Sequence, residues 1–411
     1  MSGFLFVVPP LVGHVNPTLG VAAELVRRGH RVAWAGPPRI VGPLVGREAR
    51  VFPCAGRAPD DPGMARPPTL RGAAALKYLW ERYLGPLAEE MAPGVLRAVE
   101  EFRPDVLVVD QQAVAGALVA ERLGLPWATS ASTSGEFTSL VGLPKVEAWI
   151  ADFVDDLRKR IGDPHGTGDP RRSDRLVLVF SAEELIGAAE PLGEQVRCVG
   201  PSIVPRPYDG HFPWEWLDRG RPTVLITLGT ANTGSGTRFL TECAAMVRDR
   251  SDRLQAVLVD PSGSVPGDDA LLVRPSVPQL PLLERCAAVV CHGGHNTTCE
   301  ALWHGLPLVV APIRDDQPAI AAQVARAGVG VRVRFGRVTA EQLGAVLDAV
   351  LHEPGYRAAA RRMARSLRAA GGPAAAATHL EELVVAASVE GSRPPGTSPP
   401  RLTAGQGGAH A

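Results

Sequence analysis

Short apolar runs alternate with amphipathic stretches along most of the chain. Residues 4–8 and 31–35 read as strands. Between them, 17–28 reads as a helix with Asn16 at its cap, Pro17 at its first position and Gly29 at its end. Helical patterns cover 70–84 and 86–102. A strand at 106–109 then ends in Asp110, followed by a helix at 113–123 and a strand at 127–130. Residues 131–172 are less periodic, with one amphipathic stretch at 146–161, and 176–180 and 197–199 are further strands. Pro, Gly and aromatic residues break the rhythm at 200–222. A second series follows, with strands at 223–228, 254–259, 271–273, 288–291, 308–311 and 329–333 and helices between and after them.

Strands alternating with helices predict an α/β fold built on doubly wound parallel sheets. Two such series imply two Rossmann-like domains facing each other across a cleft. The expected division is an N-terminal domain over 1–205, a linker over 206–222, a second domain over 223–373 and a closing helix over 374–387. Residues 388–411, rich in Pro, Gly and Ser, are expected to be a disordered tail. Trp214 and Trp216 are expected to anchor the junction, and 70–80 with 131–150 to shape a pocket in the first domain. A length of 411 residues suits two domains of roughly 100–200 residues each.

Composition narrows the partners. Basic and acidic residues number 43 each and no basic block stands out, so nucleic acid is not implied as a partner, nor an acidic membrane. No apolar run approaches the roughly 20 residues of a transmembrane segment. The first residues do not form a secretory leader, because Pro9 and Pro10 cut the apolar run short. Six cysteines occur without a C-x-x-C pair, which predicts a reduced, cytoplasmic protein.

The candidate chemistry concentrates where strands end, the place where such sheets bind ligands. After the strand at 288–291 comes His292-Gly293-Gly294-His295-Asn296-Thr297, then a helix. Two glycines allow close approach of a ligand to the backbone, and the helix start offers free N–H groups. With the His292, Asn296 and Thr297 side chains this makes an anion cradle suited to a diphosphate. Glu300, one turn on, is an acceptor suited to ribose hydroxyls. Asp316 and Gln317 follow the next strand and put a carboxylate and an amide beside the same crevice, although Asp316 also fits a plain helix cap. Gly229-Thr230 closes the strand at 223–228 with a hydroxyl and turn N–H groups that can hold a phosphate. Cys291, His292, His295 and Cys299 carry donor atoms for zinc, but their spacing fits no standard ligand pair, so no metal is expected.

On the other side of the predicted cleft, His14 follows the first strand and Asp110 ends another strand of the same sheet. A neutral imidazole can take a hydroxyl proton near pH 7, and a carboxylate behind it would fix its tautomer. The plainer readings are a capping histidine and a turn-forming aspartate.

Taken in this order, the motifs resemble the family-1 glycosyltransferases of the two-Rossmann (GT-B) architecture. They are most similar to the bacterial enzymes that glycosylate macrolides, other polyketides and carotenoids. The resemblance spans roughly residues 1–387. It implies an inverting glycosyltransferase that moves a hexose or deoxyhexose from a UDP- or TDP-sugar to a hydroxyl of a hydrophobic small molecule, with no cofactor or metal. His14 matches the general base and Asp110 its orienting acid. Thr230 matches a phosphate-binding threonine, and Val277 and Gln279 lie in the segment that holds the nucleobase. His292, Gly294, Asn296 and Thr297 match the phosphate loop, and Asp316 and Gln317 match the pair that binds sugar hydroxyls. Ser276 replaces the stacking Trp of plant members, so a thymidine nucleotide fits as well as a uridine one. Ile320 stands where the family usually has Asn, and His295 is a second departure. A homodimer is compatible with this reading. A GT-B epimerase would have no use for the His14–Asp110 pair, and a non-catalytic auxiliary partner could dispense with both His14 and the phosphate loop. A dehydrogenase would need a G-x-G-x-x-G after Val8 or Leu228, which is absent.

Overall fold

In a computed structural model, which describes residues 1–58, 61, 70, 72–135, 137, 144–208, 210–229 and 236–391, the chain forms two parallel sheets. The first contains β1 (Gly3–Val7), β2 (Arg31–Gly36), β3 (Val51–Pro53), β4 (Val106–Asp110), β5 (Trp127–Ala131), β6 (Val177–Val179) and β7 (Val196–Cys198), in the order 3-2-1-4-5-6-7. The second contains β8 (Thr223–Thr227), β9 (Gln255–Val259), β10 (Leu271–Arg274), β11 (Cys286–Cys291), β12 (Leu308–Val310) and β13 (Gly330–Arg332), in the order 10-9-8-11-12-13. Every pairing is parallel, so helices must cover both faces and the central strands must be apolar throughout. β1, β4 and β8 are accordingly buried along their whole length.

Helices α1 (Val12–Arg27), α2 (Pro38–Val45), α3 (Gly72–Leu79), α4 (Gly85–Phe102), α5 (Ala115–Leu123), α6 (Pro144–Ile161) and α7 (Glu183–Ile186) belong to the first half. Helices α8 (Thr237–Arg248), α9 (Gln279–Leu283), α10 (His295–Trp303), α11 (Gln317–Arg326), α12 (Ala340–His352), α13 (Pro354–Ala369) and α14 (Gly372–Gly391) follow. The chain does not end on the second sheet. Ala376, Ala377, Leu380 and Leu383 of α14 pack into the first domain's core beside Val21 and Leu25 of α1. Arg28 and His30 hold Glu381 of the same helix at 2.6 and 2.8 Å. Trp214 and Trp216 form a short 3-10 turn against the core of the second sheet. Among the described residues, no helix is long and apolar enough to cross a membrane.

Several boundaries differ from the sequence pattern. Helix α1 begins at Val12, which places Asn16 and Pro17 inside it rather than at its start. The two long helical patterns join through a π turn, Trp80–Leu84. Pro86 lacks the N–H for an α-type bond to Arg82, and a wider turn carries the helix past that gap. Strand β3 and helix α2 left no readable signal, because an edge strand this short shows no period. The closing helix runs from 372 to 391, not 374 to 387, since nothing before Gly391 breaks it. Residues 388–391 therefore leave the expected tail, and 392–411 lie outside the described residues.

Candidate active site

Strand order reverses between β1 and β4 in the first sheet and between β8 and β11 in the second. Loops leaving these pairs diverge to opposite faces and open a crevice at each carboxyl edge. The sequence puts its chemistry there: His14 after β1, Asp110 at the end of β4, Gly229 after β8 and His292 after β11.

His14 lies in the first turn of α1, not in a loop before it. Its Nδ1 is 2.8 Å from Asp110 Oδ1 and 2.7 Å from Ser132 Oγ. Asp110 is fully buried, and the same oxygen accepts the Gln112 N–H at 2.9 Å. A carboxylate only accepts, so Nδ1 carries the hydrogen and Nε2 is the basic nitrogen. The structure thus brings the two predicted residues together and adds Ser132, which the sequence did not single out.

On the donor side, Thr230 lies outside the described residues. His292 is buried between two glycines. A Cβ on Gly229 would stand 2.7 Å from its ring, and one on Gly294 2.5 Å. These glycines therefore seat an imidazole, a role distinct from the ligand approach inferred from sequence. Gly293 is needed for its backbone, with φ of 88°. His292 Nδ1 is buried with no hydrogen-bond partner among the described residues. α10 starts at His295 with Gly294 as its cap, so the N–H groups of Asn296 and Thr297 lie in the unsatisfied first turn. The Asn296 side chain does not point into this cradle. Its Nδ2 donates to the Gly13 carbonyl of the other domain at 2.7 Å.

Glu300 is buried, and both of its oxygens are engaged. Gln279 Nε2 donates to Oε2 at 2.6 Å and Arg206 donates to Oε1. Val277 is half-buried against the second-domain core. Arg206 comes from the linker. Its only sequence signal is indirect, in that a buried glutamate calls for a cation from somewhere.

Asp316 occupies the cap position of α11 but makes no capping bond. Its Oδ2 accepts the Thr133 hydroxyl at 2.5 Å, and burial raises its pKa. Gln317 Oε1 accepts the N–H groups of Ile313 and Arg314 at 2.9 and 3.1 Å, which leaves its amide NH2 as the donor for a ligand. Asp315, at φ of 56°, is a non-glycine residue in the left-handed region and makes the sharp turn into this pair.

Three consecutive hydroxyls after β5 tie these parts together. Ser132 touches His14 and Thr133 touches Asp316. Ser134 donates to Gln323 Oε1 at 2.9 Å and lies 3.3 Å from His295 Nδ1. His295 also bonds the Phe180 carbonyl at 3.1 Å through Nε2, so this second histidine packs the domain junction. Among the described residues, no three His, Cys, Asp or Glu side chains are grouped as metal ligands.

Burial pushes both His292 and His295 down to about 4, so both are neutral at pH 7. Unfolded, each would bind a proton below about pH 6.5. The unfolded chain then holds more protons between those limits, and stability falls as pH drops from about 6.5 toward 4. Urea titrations at pH 7, 6 and 5 should show this loss, and His295→Gln should make the slope shallower. An unchanged slope in that variant would sink the assignment.

Comparisons with known proteins show the family of the chain and its fold. Residues 256–383 match the family model described as Erythromycin biosynthesis protein CIII-like, C-terminal domain. The demethyllactenocin mycarosyltransferase of Streptomyces fradiae is 31% identical over 408 residues, covering 93% of this chain and 87% of that protein. The crystal structure of the kitacinnamycin glycotransferase superposes with a TM-score of 0.75 at 26% identity, over 93% of this chain and 99% of that one. The spinosyn rhamnosyltransferase SpnG complexed with thymidine diphosphate superposes with a TM-score of 0.71 at 23% identity, over 93% of this chain and 100% of that one.

Proposed function

Because this chain belongs to the GT-B glycosyltransferases of natural-product biosynthesis, we propose that it inverts the anomeric centre of a UDP- or TDP-linked sugar while passing it to a hydroxyl of a hydrophobic small molecule. The observation that carries this reading is the Ser132–Thr133 step. One hydroxyl touches the base and the next touches the carboxylate proposed for the sugar, and neighbouring Cα atoms are only about 3.8 Å apart. A sugar held by Asp316 and Gln317 would sit beside Nε2 of His14.

In this mechanism, Nε2 takes the acceptor proton as the oxygen attacks the anomeric carbon. Asp110 stabilises the imidazolium that forms. The C–O bond to the diphosphate breaks on the opposite face. The departing charge meets the N–H groups at the start of α10 and the His292 ring, which burial keeps neutral and therefore a hydrogen-bond donor rather than a cation. Glu300, whose oxygens already accept from Gln279 and Arg206, keeps a second lone pair on each for ribose hydroxyls, and the Val277–Gln279 segment would hold the base. These donors would stabilise the leaving group's charge by hydrogen bonding, without a metal.

The purified chain should be incubated with UDP-glucose and TDP-glucose separately, and with a TDP-deoxysugar, in the presence of lipophilic phenols, macrolides and hydroxylated carotenoids. Mass spectrometry should show acceptor plus one sugar, and NMR the inverted anomeric configuration. A retained configuration would exclude the single-displacement reading. Nucleotide bound without transfer to any acceptor would count against the proposed acceptor class.

A further inference from the structure

Helix α1 carries a proline near its start. Pro17 has no N–H, so the Gly13 carbonyl four residues earlier loses its helical donor. Asn296, the second residue of α10 in the opposite domain, replaces it with the 2.7 Å bond from Nδ2. Gly13 immediately precedes His14. One amide therefore joins the turn that bears the base to the helix start that cradles the phosphates.

We propose that Asn296 is a positioning residue that sets His14 against the donor, in place of the phosphate-ligand role its motif suggests. Pro17 keeps a carbonyl open, Asn296 clasps it, and the two edges of the cleft are held in one register. The inference rests on the transferase reading above. The chemistry is specific to an amide. A carboxylate in its place cannot donate to a carbonyl and would repel it, and alanine would leave the carbonyl unpaired. Pro17 is buried within α1 and is no part of the phosphate cradle, so it offers a handle on the clasp that does not alter the donor site.

The test uses the full-length chain as wild type, Asn296→Ala, Pro17→Ala and the double variant. Melting temperature, calorimetric Kd for UDP and TDP, and kcat and KM for the donor are measured on each. Asn296→Ala should lower the melting temperature and cut kcat about tenfold or more through misplacement of the base, with nucleotide Kd unchanged. Adding Pro17→Ala returns an N–H to the Gly13 carbonyl. The double variant should then regain melting temperature but not kcat, a split that a merely structural contact would not produce. The proposal is overturned if Asn296→Ala weakens nucleotide binding by the factor it removes from kcat/KM, because Asn296 would then be a phosphate ligand. It is also overturned if the double variant recovers kcat together with stability. A wild-type chain that transfers no sugar defeats the transferase reading instead. The melting-temperature cycle then still judges the clasp, and failure of the double variant to recover stability overturns it.

Discussion

Replacing His14 with alanine should lower kcat about 10²–10⁴-fold, the usual range for a positioned general base. Nucleotide affinity should change far less than kcat, since the ring's hydrogen bonds to Asp110 and Ser132 lie within its own domain. Asp110→Asn should cost less, because it removes the charge behind the ring and not the base itself. The Asn carbonyl can still accept from Nδ1, so Nε2 stays the basic nitrogen, but an uncharged amide does less to stabilise the imidazolium. One oxygen of the fully buried Asp110 accepts both the Gln112 N–H and the Nδ1 hydrogen, so the Asn carbonyl is held in that place. The measurement is kcat against pH with saturating donor. Wild type should lose activity toward acid pH as the base is protonated, and His14→Ala should lose that limb. A His14→Ala enzyme that keeps the acidic limb and most of its turnover would remove His14 from the mechanism.

The second large effect concerns stability. Arg206→Ala should destabilise the protein by about 3–5 kcal/mol, the range for removing one partner of a buried ion pair. The lower end is expected, because the Arg206 side chain stays 20% exposed while Glu300 is 2% exposed. The cost arises from the carboxylate left behind, to which the neutral Gln279 amide still donates but no arginine does. Glu300→Gln in the Arg206→Ala background should therefore restore much of the loss, as no charge remains to strand. Urea unfolding of the two singles and the double closes this cycle. If the double were as unstable as Arg206→Ala alone, the linker arginine would be contributing packing rather than charge.

Much of the architecture was visible as pattern. Two alternating series of strands and helices imply two doubly wound sheets, and such sheets bring residues after β1 and β4, or β8 and β11, to one crevice. His14 and Asp110 could therefore be paired without coordinates, whereas the seating of His292 by Gly229 could not. The start of α1 misled because Pro17 usually opens a helix. Here the bond it forfeits is replaced from the other domain, and no local pattern reports a partner so far away in sequence. The Thr133 and Ser134 hydroxyls were hidden for the same reason. Their partners Asp316, Gln323 and His295 are adjacent only once the domains meet. Asp316 fitted a helix cap on sequence alone, and only the missing capping bond and the Thr133 contact separate it from one. Arg206 sat in a stretch read only as linker, since a lone arginine among Pro and Val carries no period.

The closing helix also gives the molecule an order of completion. α14 supplies Ala376, Ala377, Leu380 and Leu383 to the core beside α1, yet it is the last described element to leave the ribosome. The first sheet emerges with one flank bare and stays so while the whole second sheet is made. At about 5–20 residues per second, that interval is on the order of 10–40 s. For that time the nascent N-terminal half presents an apolar seam shaped for a helix that does not yet exist. Chaperone capture or wrong pairing between neighbouring nascent chains would find that seam open, and arrival of the final helix is what closes it.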